Sequence, residues 1–143
     1  GGAMIKLGRR FKAVLFAAAA FLYVTGLGAW ALGWERFQTD HGLGPEPSPL
    51  RSTALHAHAV AGLLFLILFG YLWRAHVEPE LDRRKKRRIG PALLCFLAVL
   101  FLTTPLIFYL SDAGARAWAG EVHAWAGALV LAPFLAHLRA KGR

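Results

Sequence analysis

Two nearly identical five-residue stretches, HAVAG at 58–62 and HAWAG at 123–127, each place a histidine four residues ahead of a glycine inside apolar sequence. Imidazole can ligate a metal, move a proton or hydrogen-bond to a neighbour, so the repetition asks which of these is in use. The chain has six histidines: His41, His56, His58, His76, His123 and His137. At about 100° of helical turn per residue, His58 and His76 return to one face, and His123 and His137 end about 40° short of a full turn. His56 lies two residues from His58 and points elsewhere, so both cannot serve one centre. His58 is preferred because it shares phase with His76 and aligns with His123; His56 is the fallback.

A bare metal ion fits these residues poorly. No Asp or Glu lies within the apolar stretches, and one His from each of two helices leaves a zinc site two ligands short of four. Haem fits better, because its porphyrin supplies four nitrogens and its iron needs only two axial ligands. Gly62 and Gly127, one helical turn from their histidines and on the same face, are where a side chain would collide with a flat ring. Two other roles stay open for these residues. A membrane-embedded His can simply hydrogen-bond to the next helix, and a Gly can mark close helix packing. Attachment would be non-covalent, since the chain has no C-x-x-C-H motif.

The elements that must position these residues are apolar and long. Hydrophobic residues make up 57% of the 143-residue chain, and its charges are bunched. Between Lys12 and Glu35 lie 22 residues without Asp, Glu, Lys or Arg; Arg51 to Arg74 encloses 22, and Arg88 to Asp112 encloses 23. A fourth run, Val122–Leu138, has 17 and extends to Ala117 if Glu121 is admitted. About 20 mainly apolar residues cross a bilayer as a helix. Strand alternation is absent, so helices are the means of satisfying the backbone in lipid. The expectation is an all-α integral membrane four-helix bundle, up-down-up-down, with spans at about 12–33, 53–75, 89–111 and 118–139. Residues 1–11 would form a cytoplasmic N-terminus, opening on a Gly1-Gly2-Ala3 expression scar. A single transmembrane domain would fill 12–139, and 140–143 would be a cytoplasmic tail. The first apolar run is too long for a signal-peptide core, and three more spans follow it. Pro105 falls inside span three as a tolerated bend, and SDAGARA at 111–117 reads as the tight turn between spans three and four.

The net charge of +9 is placed for topology rather than for nucleic acid. Lys6, Arg9, Arg10 and Lys12, then Arg74 and the RRKKRR run at 83–88, then Arg139, Lys141 and Arg143 put 14 of the 17 basic residues on one side. That asymmetry predicts both termini in the cytoplasm, with the basic run meeting anionic lipid. Trp30, Trp34, Tyr109 and Trp118 at one face, and Tyr71 with Trp73 at the other, suit interfacial belts. The lone Cys95 allows no intrachain disulfide.

Spans two and four align without a gap, His58 on His123 and Gly62 on Gly127, through LWRAH at 72–76 against HLRAK at 137–141. Spans one and three share a shorter echo, VTGL at 24–27 and LTTPL at 102–106. Two related helix hairpins would set spans two and four parallel, with the matched histidines at one depth.

In this layout and in HAVAG and HAWAG the chain resembles the membrane-integral cytochrome b families of bacteria. These include small four-helix cytochromes that exchange electrons with quinone and the cytochrome b subunits of hydrogenases and formate dehydrogenases. The resemblance spans Phe11 to Arg139 and implies a multi-pass protein of the bacterial inner membrane with two bis-histidine haems b. Carried over by position, His58 and His123 become the outer iron ligands and His76 and His137 the inner pair. Gly62 and Gly127 become the glycines that make room for the ring. The inner pair departs from the pattern: the gap-free alignment puts Leu72 opposite His137, and His76 lies four residues farther, about 6 Å along a helix.

Such a protein would pass electrons within or across the membrane, to or from the quinone pool, with a dehydrogenase or cytochrome as a redox partner. Polar candidates beside a quinone are His41, Arg51 and His56 at the outer side and Arg74 and Arg139 at the inner, the last two equally suited to haem propionates or lipid headgroups. The resemblance admits a free-standing oxidoreductase, such as one passing electrons from superoxide to quinone, or a membrane anchor for a dehydrogenase. The alternative from another class is a haem-free structural or assembly subunit, its histidines in helix–helix hydrogen bonds. A small transporter ranks lower, for lack of a buried carboxylate in the spans.

Overall fold

The computed structural model describes residues 8–33, 39–40, 45–46, 49–82 and 89–141. Helix α1 runs from Arg9 to Ala31. A two-residue antiparallel pair follows, β1 (Thr39–Asp40) against β2 (Pro45–Glu46), with Thr39 opposite Glu46. Helix α2 spans Pro49–Leu72 and continues through a π-helical stretch, Trp73–Val77, into the short α3, Glu78–Asp82. Helices α4 (Ile89–Tyr109), α5 (Ala113–Leu129) and α6 (Leu131–Lys141) complete the chain. Four of the resulting rods are long and apolar enough to cross a membrane: Arg9–Ala31, Pro49–Leu81, Gly90–Tyr109 and Ala113–Arg139. This is a multi-pass, all-α membrane protein.

The chain divides into two compact units at Lys85 and Lys86, each described by itself. In the first, α1 packs against α2; in the second, α4 packs against α5 and α6. Each is a helical hairpin held at close range by small residues. Among the described residues the buried apolar ones are all alanines: Ala29, Ala61 and Ala75 in the first hairpin, Ala119 and Ala126 in the second. Large apolar side chains point outward instead, Ile67 at 71% exposure and Leu102 at 68%. In lipid that inversion costs nothing, because helix association there comes from close packing and polar ties rather than from hiding hydrocarbon. Tyr71, Trp73, Tyr109 and Trp118 are likewise exposed.

Local chemistry sets the helix bounds and departs from the expected spans in three places. Pro49 opens α2 at the first helical position, where a missing N–H is harmless. SDAGARA is only partly a turn, because Asp112 caps α5 by accepting from the Ala115 N–H at 2.6 Å, and the helix starts at Ala113 rather than near 118. Below Leu72, Glu78 N–H reaches back five residues to the Trp73 carbonyl. Pro79 follows with no N–H to offer Ala75, which accounts for the widened turn. Span four breaks at Val130 between α5 and α6, and Pro133 is the cause: it cannot donate to Leu129, four residues back. The backbone stays near-helical across that break, with Val130 bonded to Ala126 and Phe134 to Val130. Pro105, by contrast, leaves α4 uninterrupted.

Candidate functional site

Each hairpin builds the same arrangement around its repeated histidine. In the first, His58 of α2 lies against α1 with Nδ1 3.0 Å from the Leu22 carbonyl oxygen and 3.3 Å from Thr25 Oγ1. In the second, His123 of α5 sets Nδ1 2.9 Å from Thr103 Oγ1 of α4. Both threonines are bonded back to their own helix: Thr25 Oγ1 donates to the Phe21 carbonyl at 2.8 Å, and Thr103 Oγ1 to the Val99 carbonyl at 2.7 Å. The threonines occupy equivalent places in the VTGL and LTTPL echo, so the duplication is one of contacts as well as letters.

The Leu22 carbonyl can only accept, so His58 Nδ1 must donate to it. A threonine hydroxyl has one hydrogen; with that hydrogen given to the Val99 carbonyl, Thr103 turns lone pairs toward His123 and Nδ1 donates there as well. In a neutral ring protonated at Nδ1, Nε2 carries the lone pair. That is the nitrogen a metal would use, with Nδ1–H held by an outer partner.

The first hairpin adds a steric seat. A Cβ on Gly26 would stand 2.7 Å from His58 Cε1, so the ring lies where only glycine leaves space. Gly62 and Gly127 behave differently. A Cβ at Gly62 would meet Leu22 Cδ1 at 3.9 Å, and one at Gly127 would meet Leu100 Cδ2 at 3.8 Å, both ordinary contacts. Packing inside the hairpins therefore does not require glycine at either position.

The remaining candidates are spread out. His56 is exposed, with Nδ1 2.7 Å from the Ser52 carbonyl one turn back. It lines a shallow apolar groove with Ala18, Phe21, Val60 and Leu64, on a different face of α2 from His58. His76 is half-buried within the π-helical stretch, and His137 half-buried in α6 beyond the Val130 break. The π-helical stretch interrupts the helical phase that would align His58 with His76, whereas between His123 and His137 the backbone stays near-helical through Val130. Arg74 forks onto Glu78, at 3.0 and 2.9 Å, in an exposed i,i+4 pair, and Arg139 is exposed. Arg51 lies across Gly33, its Nε 3.1 Å from where a Cβ would be. His41, Trp34 and the RRKKRR run lie outside the described residues.

Thr25, Thr103 and Gly26 are the functional candidates that reading the sequence for chemistry passes over. The signal was present in the echo of spans one and three, but nothing in a lone threonine says which residue it faces. Among the described residues no group of three or more His, Cys, Asp or Glu is placed to hold a metal, and Cys95 is exposed. What is seen directly is each histidine tying two helices together. Comparison with family models, with curated proteins and with solved structures finds no match to the chain.

Proposed function

We propose that this membrane protein is a b-type cytochrome in which His58 and His123, one from each hairpin, hold a haem b, with His76 and His137 holding a second. One observation carries the reading. Both repeated histidines turn Nδ1 to an oxygen of the partner helix, the Leu22 carbonyl for His58 and the Thr103 hydroxyl for His123, the orientation in which Nε2 is the nitrogen an axial ligand would offer. The glycines add support, since Gly62 and Gly127 are not demanded by packing within either hairpin. Haem, when bound, supplies a reversible one-electron couple whose potential the protein sets through ligation and burial.

The chain's own residues orient the rings, exclude water and meet the lipid. Arg74 and Arg139, at the basic side, suit haem propionates or phospholipid headgroups. His56 lines the apolar groove of the first hairpin, and with Arg51 and His41 it is a polar candidate of the kind a quinone site needs. Electron exchange with the quinone pool of a bacterial inner membrane, and with a dehydrogenase or cytochrome, completes the reading.

The observed contacts by themselves favour a second reading better: a haem-free structural or assembly subunit. His58 and His123 already act as helix–helix ties, and no three-ligand group occurs among the described residues. That last point bears on sites built wholly from protein, which need three or four ligands, more than on an iron that brings four porphyrin nitrogens. Colour separates the two. Protein purified after haem-supplemented expression should show a Soret band, with sharp α and β bands on reduction. Colourless protein assigns the chain to the second reading.

A further inference from the structure

The paired contacts of the two hairpins are alike in kind and unequal in strength. His58 has two acceptors at Nδ1, the nearer being the Leu22 carbonyl at 3.0 Å and the farther Thr25 Oγ1 at 3.3 Å. His123 meets the Thr103 hydroxyl at 2.9 Å. Thr103 is also the one polar side chain that is buried among the described residues, at 6% exposure. The seats differ too. The His58 ring lies against Gly26, whereas the matching position in α4 is Thr104, whose hydroxyl is bonded back to the Leu100 carbonyl at 2.8 Å.

We propose that Thr103 is a positioning residue that holds His123 in the Nδ1–H tautomer and so sets the donor strength of its Nε2, while on the His58 side the Leu22 carbonyl has that task and Thr25 assists. The effect on donor strength rests on the haem reading above; the effect on the tautomer does not. An Nε2–H ring at His123 would either set the lone pair of Nδ1 against those of Thr103 Oγ1 or draw the hydroxyl hydrogen away from the Val99 carbonyl, 2.7 Å off. In a membrane interior no water relieves that conflict, so the bond decides the tautomer. A held Nδ1–H makes the ring more basic at Nε2, which favours ferric over ferrous iron and lowers the potential. Removing the acceptor therefore raises it. A backbone carbonyl survives any side-chain substitution, so the two histidines respond differently to loss of their threonines.

The test has two arms on the full-length protein. Without haem, 15N NMR of histidine-labelled protein in lipid should show His58 and His123 with a protonated Nδ1 and an unprotonated Nε2. Thr103→Val should move His123 toward the other tautomer, Thr103→Ser should restore it, and Thr25→Val should leave His58 unchanged. With haem, Thr103→Val should raise one midpoint potential by up to about a tenfold change in the ferrous-to-ferric ratio, about 59 mV for a one-electron couple. Thr103→Ser should return it, and Thr25→Val should shift it less. An Nε2–H tautomer in the wild type overturns the proposal even where the valine variant fails to fold. Equal responses to Thr25→Val and Thr103→Val overturn it as well. Protein that stays colourless while its tautomers respond as expected overturns the haem reading and upholds Thr103 as the residue that positions His123.

Discussion

Thr103 Oγ1 stands 2.9 Å from His123 Nδ1 and 2.7 Å from the Val99 carbonyl of its own helix. The first hairpin repeats the relationship between Thr25 and His58, with the Leu22 carbonyl added. A back-bonded threonine is a stiff acceptor, since its χ1 is restricted and its hydroxyl rotor is occupied. It holds an imidazole in one orientation at little further entropic cost. In lipid such a tie contributes about 0.6 kcal/mol and at most about 2. Its value lies in orientation more than in stability.

Gly26 and Gly62 should respond oppositely to alanine. Gly26→Ala places a methyl 2.7 Å from His58 Cε1, so the ring must leave the Leu22 and Thr25 acceptors. Overpacking of this kind costs about 1–3 kcal/mol. Gly62→Ala meets only Leu22 at ordinary contact distance and should leave the hairpin intact, whereas Gly62→Leu should lower haem occupancy. Thermal unfolding in detergent, paired with haem content, reads both effects. A silent Gly26→Ala contradicts the seat assigned to His58.

Haem count decides the fate of His76 and His137. Two haems b per chain are expected, measured as a pyridine haemochrome against quantified protein. A ratio near one leaves His58 and His123 standing and returns the other two to structural roles. The widened turn before Pro79 is where such a failure would originate, since it changes helical phase between His58 and His76.

The charge bias of the sequence, which would put 14 of the 17 basic residues on the cytoplasmic side, gives a topological prediction: reporter fusions at Arg143 and within 83–88 should score cytoplasmic, and fusions within 42–49 exterior. An exterior C-terminus would reverse the assignment of the two faces.

Four apolar rods were legible in the sequence because charge-free runs of about 20 residues have few other uses. The matched histidines were legible because HAVAG and HAWAG recur intact. Less visible were the features that depend on a partner helix or on a missing N–H. Thr25 and Thr103 look like ordinary span threonines until their neighbours are known. Gly26 carries no repeat to mark it, since its counterpart is Thr104. Pro133 sits in an apolar run whose composition hides the break, and Pro79 acts on a turn that begins six residues earlier. His56, two residues from His58, was separable by phase alone, and its exposed bond to Ser52 agrees.

The most direct measurement is the reduced-minus-oxidised spectrum, with low-temperature EPR of the ferric protein, of His58→Ala, His123→Ala and their double variant. Two ligands of one iron act as a unit, so their losses do not add. Each single substitution should remove the same spectral component, the double should be no worse than either, and His56→Ala should be nearly silent. Loss of that component in His56→Ala with retention in His58→Ala would contradict the choice of ligand. Full haem retention in both His58→Ala and His123→Ala would contradict the site itself.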